Sequence, residues 1–143
     1  MDKIIVAYET LQQACRSLHA TTKRFIAAQE DAQTDKLLQE AWRDSVITRF
    51  QLCYELLWKY GKHYLLVYLQ ADVSSPKKVF QELHAKKIIS REDADNLMDI
   101  VEVRNLTTHI YDEAYAEQAA QEIIEYLRFL ETILKKLAPE KAA

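Results

Sequence analysis

The run Arg104-Asn105-Leu106-Thr107-Thr108-His109-Ile110-Tyr111-Asp112 gathers a guanidinium, an amide, an imidazole and a phenol in one short segment. A guanidinium grips a phosphate through two parallel hydrogen bonds. An imidazole, with an unperturbed pKa of about 6.5, gives or takes a proton near neutrality. On a continuous helix Asn105 and His109 share a face, so the amide can orient the ring. Arg104 and His109 stand about 140° apart at 3.6 residues per turn. They converge only where the helix is distorted or a second subunit closes the site. The same residues have a plainer use: Arg104 as ion-pair partner of Asp99 or Glu102, and His109 as a helix C-terminal cap. Spacing alone leaves both readings open.

Other chemistries lack their residues. None of His19, His63, His84 and His109 follows a Glu by three positions, and no H-x-x-x-H occurs, so a metal site is not expected. Asp93-Ala94-Asp95 has the D-x-D form of a Mg²⁺ site. It falls in the first turn of a helix, where acids favour the dipole, and no Gly-Ser turn precedes it. The chain is therefore not expected to be a nucleotidyltransferase itself. Lys77, Lys78, Lys86, Lys87 and Arg91, with His84 among them, form a basic cluster that reads as a solvated face, since no aromatics interleave for base stacking. Cys15 and Cys53 lie far apart in sequence and read as small reduced apolar residues.

The elements that must position Arg104 and His109 are helices. One Gly and two Pro occur in 143 residues, where average usage gives about 17 such breakers. So few tight turns exclude a β-sandwich or barrel, and a phosphate-binding glycine loop. A first helix carries Ile4, Tyr8, Leu11, Cys15, Leu18, Thr22 and Phe25 on one stripe, with a turn over 29–35. A second carries Trp42, Val46, Phe50, Cys53, Leu57, Tyr60, Tyr64 and Val67, with Gly61 beside the stripe marking close approach of another helix. Ser75-Pro76 opens a short helix through Val79, Phe80 and Leu83. Ser90 to Asp93 has the form of a capping box for a helix through Leu97, Met98 and Val101 that ends near His109. Asp112 caps the last helix, which carries Ala120, Ile123, Leu127, Leu130, Leu134 and Leu137.

The expected fold is all-α: an antiparallel up-and-down four-helix bundle with one short inserted helix. Residues 1–143 read as a single domain, with 49% hydrophobic and 29% charged residues. Net charge is −3, so nucleic acid or anionic membrane is not attracted by the chain as a whole. The opening MDKIIVAYET is too polar for a signal peptide, and the longest strongly apolar stretch, Tyr64 to Leu69, falls short of a bilayer span. A cytoplasmic protein without membrane contact is expected.

Arg104, four residues, His109, one residue and Tyr111 resemble the R-x4-H-x-Y signature of HEPN domains. The wider pattern is similar to the branch called nucleotidyltransferase substrate-binding proteins: Arg49-Phe50, Tyr54-Glu55-Leu56-Leu57-Trp58-Lys59, Ser75-Pro76-Lys77-Lys78-Val79, and Arg104 through Glu113. The likeness spans most of the chain, with Leu97 where a tryptophan is expected.

The resemblance implies a single HEPN-like bundle that homodimerises, with the two R-x4-H segments facing across a cleft. It implies a minimal nucleotidyltransferase as antitoxin-like partner and a toxin-like, metal-independent ribonuclease activity without a cofactor. Arg104 and His109 are then the catalytic pair, Asn105 and Glu55 supporting residues, and Tyr111 the acceptor of AMP from the partner. Glu55 either sets the Arg104 guanidinium or pairs with Lys59 four residues on. Such cleavage needs a base for the 2′-OH, an acid for the leaving 5′-oxygen and cations for the phosphorane. One chain offers one of each, and a two-fold axis doubles them. The alternative is a non-catalytic subunit that binds a nucleotide or other substrate for the transferase. A purely structural dimer is a third reading.

Overall fold

The computed structural model describes residues 2–140. Helix makes up 83% of it, with no strand among the described residues. Helix α1 spans Lys3–Glu30, α2 Lys36–Leu69, α3 Pro76–Ala85, α4 Arg91–Leu106 and α5 Glu113–Lys136, with a 3-10 turn over Thr107–His109. The α1, α2, α4 and α5 helices alternate in direction, as cross-helix contacts establish. Tyr8 near the start of α1 meets Tyr60 near the end of α2. Arg43 near the start of α2 meets Glu113 at the start of α5, and Tyr60 meets Leu137 just past the end of α5. Lys136 at the end of α5 meets Asp93 at the start of α4. The four long helices form an up-and-down bundle with α3 laid against α2 and α4.

The stripes supply the core. Ile4, Leu11, Leu18 and Phe25 of α1 are buried, as are Val46, Phe50, Cys53, Leu57, Tyr60 and Tyr64 of α2, and Ala120, Ile123, Leu130 and Leu134 of α5. Val67 departs from the expected stripe and is 42% exposed. Tyr8 on α1 lies opposite Tyr60 on α2, so Val67, seven residues on, falls past the start of α1 and loses its cover.

At Gly61 the side chains of α3 come close to the α2 backbone. A Cβ there would stand 2.8 Å from Val79 Cγ1, so only glycine admits α3 at this distance. The Ser90 hydroxyl accepts from the Asp93 N–H while the Asp93 carboxylate accepts from the Ser90 N–H, the expected capping box. Asp112 accepts from the Ala114 N–H and caps α5. Ser75 differs from expectation: it occupies the cap position, but its hydroxyl makes no capping bond. Pro76 opens α3 instead, through its fixed φ and missing N–H.

Three tyrosines receive the end of α5. Tyr8 donates to the Leu134 carbonyl at 2.8 Å, Tyr60 to Leu137 at 2.5 Å and Tyr68 to Glu140 at 3.4 Å. The last carbonyls of an α-helix lack α-helical partners within it; the Tyr8 phenol meets one of these, while Tyr60 and Tyr68 tie down the residues that follow α5. Among the described residues no helix is long and apolar enough to cross a membrane.

Candidate functional site

Thr107 and Thr108 end α4. The Thr107 hydroxyl donates to the Arg104 carbonyl at 2.6 Å, and the Thr108 hydroxyl donates to the Asn105 carbonyl at 2.7 Å. Side chains that take up the final carbonyls in this way compete with helix propagation. The chain tightens into a 3-10 turn, and the Asp112 N–H closes it on the His109 carbonyl at 3.0 Å. Thr107 is buried and held from the far side by the Gln51 amide at 3.0 Å. The helix is thus broken between Arg104 and His109, at the two hydroxyl bonds, and no hydrogen bond of the turn joins their side chains.

Arg104 is half-buried on the last turn of α4. Its Nε is shielded from solvent and has no hydrogen-bond partner among the described residues. Neither Asp99 nor Glu102 pairs with it; the Asp99 carboxylate accepts from the Tyr126 hydroxyl instead. The guanidinium lies near Tyr54. Burial first, and then the Glu55 charge, push the Tyr54 phenol up, while the Arg104 charge opposes them.

His109 is exposed at the end of the 3-10 turn, its Nδ1 3.4 Å from the Tyr111 hydroxyl. The ring leans on Tyr111 and Tyr115, with centroids at 6.0 and 5.6 Å. Tyr111 is 83% exposed. The imidazole's side-chain partner is thus Tyr111 and not Asn105: α4 stops at Leu106, so the shared face of a continuous helix is lost. Asn105 is exposed. The Glu55 carboxylate accepts the Trp58 indole N–H at 3.1 Å and pairs with Lys59 at 3.7 Å, the second of the uses open to it.

Below the turn lies a residue whose role the sequence does not disclose. Arg43 of α2 is 2% exposed and reaches the first turns of α5. Its Nη1 is 2.6 Å from Glu113 Oε2 and 3.0 Å from Glu117 Oε1, and its Nε donates to Asp44 at 3.0 Å. The guanidinium holds the Glu113 carboxyl below its usual range. Glu113 and Glu117 sit one helical turn apart, a visible pairing face, but the partner seventy residues away leaves no local signal. Tyr115 is likewise an unforeseen neighbour of His109.

In the D-x-D run Asp93 serves the capping box and pairs with Lys136. Burial works against the Asp93 charge, yet hydrogen bonds from Lys136 and Ser90 hold its carboxyl below the usual range. The basic side chains around α3 are exposed, and Lys86 pairs with Glu82 at 3.8 Å. Among the described residues no three metal-ligating side chains cluster.

Residues 6–139 match the protein family described as nucleotidyltransferase substrate binding protein like. The chain belongs to that family. Its HEPN-like bundle is shared by a crystal structure from Thermus thermophilus, 24% identical, which covers 90% of this chain and 99% of that one at a TM-score of 0.73. It is similar also to the tri-AMPylated Shewanella oneidensis HEPN toxin solved in complex with its MNT antitoxin. That likeness is 20% identical over 98% of this chain and 100% of that one, TM-score 0.73. A mutant form of the toxin–antitoxin MntA–HpeT is 20% identical over 92% of this chain and 99% of that one, TM-score 0.69. No curated protein matches the chain by sequence.

Proposed function

We propose that this family member is the HEPN-type subunit of a two-component minimal nucleotidyltransferase system and acts as a metal-independent ribonuclease restrained by its partner. One observation carries the reading. His109 and Tyr111 stand open to solvent on a built turn that directly follows the helix end carrying Arg104, a guanidinium with no carboxylate within 4 Å among the described residues. A cation left without an internal counter-charge is suited to an external phosphate. Arg104 holds the scissile phosphate and stabilises the phosphorane, and His109 moves the proton between the 2′-OH and the leaving 5′-oxygen. A homodimer brings a second Arg104 and His109 to the same groove, so that one imidazole serves as base and the other as acid.

The Tyr111 hydroxyl is the acceptor of AMP. Its oxygen forms a bond to the α-phosphorus of ATP, pyrophosphate leaves, and the phenolic proton passes to His109 Nδ1 or to solvent. The ester then places a phosphate beside Arg104 and ends the phenol's capacity to donate to His109. Restraint and catalysis compete for the same two side chains. The solved toxin–antitoxin relatives, one of them carrying AMP, support this pairing.

The deciding experiment is growth on expression without the partner. Wild type is expected to slow growth and His109→Ala to relieve it at equal protein level and unchanged melting temperature. Equal toxicity of His109→Ala excludes His109 as catalyst. The family description favours a second reading, a non-catalytic subunit that presents substrate to the transferase. On that reading neither protein slows growth, and Arg104→Ala weakens nucleotide binding.

A further inference from the structure

The face that α1 turns toward the end of α5 is not a core face. Gln12, Arg16, His19 and Lys23 recur at steps of four, three and four, so they form one row along the helix, beside the buried Leu11 and Leu18. An apolar row here would draw the two helices together. The polar row leaves a cleft of ≈ 390 Å³ between α1 and the C-terminal half of α5, within the range of about 300–1,000 Å³ usual for small-molecule sites. Two chemistries meet in it. Tyr8, Cys15, Ala20 and Leu134 give it an apolar wall, and Arg16, Lys23 and Lys135 bring positive charge.

The charges do not balance. Glu131 is the one carboxylate among the described lining residues, and it faces His19, with 3.3 Å between its Oε1 and the ring's Nδ1. That Nδ1 is shielded from solvent and has no hydrogen-bond partner among the described residues. Arg16, Lys23 and Lys135 form no ion pair within 4 Å among the described residues. Cations gathered in this way repel one another, and an anion between them relieves the repulsion. Arg16 and Lys23 are seven positions apart, about 10 Å along the helix, which is more than a single phosphate spans. The row suits a chain of anionic groups.

We propose that this cleft binds a nucleoside di- or triphosphate, with the base against the apolar wall and the phosphates along Arg16, Lys23 and Lys135. A nucleobase is planar and its faces are weakly hydrated, so the wall formed by Tyr8, Ala20 and Leu134 takes it out of water. The phosphates stay at the mouth, where Arg16 offers a bidentate fork and the two lysines offer point charges. The apolar wall is what separates this cleft from a basic surface patch, which holds phosphate whatever is attached to it. Glu131 stands about 27 Å along α5 from Glu113, so the cleft lies toward the opposite end of that helix from the Arg104 turn. It needs neither Arg104 nor His109, and a nucleotide can occupy it whether or not the turn cleaves RNA.

The test is calorimetric titration of the full chain with ATP in excess EDTA, which keeps divalent ions from masking the phosphates. Saturable binding of one nucleotide per chain is expected. Adenosine, which lacks the phosphates, and inorganic triphosphate, which lacks the base, are each expected to bind at least about tenfold more weakly, with AMP between them and ATP. Arg16→Gln combined with Lys23→Gln is expected to weaken ATP binding at least about tenfold. Ala20→Trp fills the cleft and is expected to abolish binding, whereas Arg104→Gln is expected to leave it unchanged. Arg16, Ala20 and Lys23 are all exposed, so these variants are expected to fold, and circular dichroism with melting temperature verifies it. No saturable ATP binding, triphosphate or AMP that binds as tightly as ATP, or binding that Arg104→Gln abolishes and Ala20→Trp spares would each overturn the assignment. Every arm reads binding and none reads RNA cleavage, so failure of the ribonuclease reading shows in the growth assay and not here.

Discussion

The Arg43 guanidinium, buried under α5, holds Glu113 at 2.6 Å, two residues beyond the exposed Tyr111. A charge with so little solvent of its own is satisfied by three carboxylates that are each at least half open to water. Arg43→Met keeps much of the volume but releases the start of α5. The expected loss is about 1–3 kcal/mol, below that of a fully buried pair because the carboxylates can return to solvent. Urea unfolding measures it. Glu113→Gln keeps a hydrogen-bond acceptor for the arginine and is expected to cost less than Arg43→Met; a larger loss from Glu113→Gln would contradict the ordering.

What was legible in the sequence follows from what is local. The capping box at Ser90, the cap at Asp112 and the stripes of α1, α2 and α5 all rest on neighbours within a few positions, and all but the outer end of the α2 stripe form as read. Gly61 was legible because a lone glycine inside a helix needs a reason. The break after Leu106 was visible only as two β-branched threonines; that their hydroxyls end the helix, and that His109 thereby turns from Asn105 to Tyr111, depends on geometry created by the break itself. Arg43 was not legible at all, because the contacts that bury it join α2 to the start of α5.

Gly61 sets the distance between α2 and α3, so Gly61→Ala tests two opposed effects. Helix propensity favours alanine by about 1 kcal/mol. Against it, the added methyl meets Val79 Cγ1 at 2.8 Å in a fully buried setting. Overpacking of this kind costs about 1–3 kcal/mol, so net destabilisation is expected. In a double-mutant cycle with Val79→Ala the combined loss is less than the sum of the two single losses, because the second change removes the clash. Strict additivity would show that the methyl is accommodated elsewhere.

Tyr60 gives the bundle an alkaline limit. Burial, followed by the nearby phenols of Tyr68, Tyr8 and Tyr64, raises its ionisation above the ordinary value of 10.0. The neutral form is the one the fold favours, since the hydroxyl donates to the Leu137 carbonyl. Its contribution is complete below pH 10.0, where the unfolded phenol also keeps its proton, and is lost as pH rises toward the folded value. Melting temperature is expected to fall above that pH. Tyr60→Phe, less stable at neutrality by the lost hydrogen bond, is expected to show a shallower fall; identical slopes would remove Tyr60 as the cause.

Thr107→Val separates the turn from the residues it carries. The change keeps the shape of a buried side chain and deletes its bonds to the Arg104 carbonyl and the Gln51 amide. A loss of about 1–3 kcal/mol is expected, as for a buried polar partner left unpaired. Amide exchange is expected to quicken across Thr107–Tyr111 while the Leu97 region of α4 stays protected. Uniform quickening throughout α4 would mean the turn has no local stability of its own.

The proposed chemistry fixes its own products. A mechanism built on Arg104 and His109 uses the substrate's 2′-OH as nucleophile, so RNA is expected to break into 2′,3′-cyclic phosphate and 5′-hydroxyl ends, and a 2′-deoxy substitution at the cleavage site to block the reaction. The charge of the phosphorane falls on guanidinium and imidazolium groups. Cleavage is therefore expected to persist in excess EDTA, and Arg104→Lys to lower the rate because an ammonium lacks the bidentate fork. Treatment with the partner and ATP is expected to add one or more AMP masses and suppress cleavage. Tyr111→Phe keeps the ring beside His109 but offers no oxygen, so it escapes suppression. Cleavage that stops with EDTA, or AMP found elsewhere while Tyr111→Phe is still suppressed, would move the chemistry off these three residues.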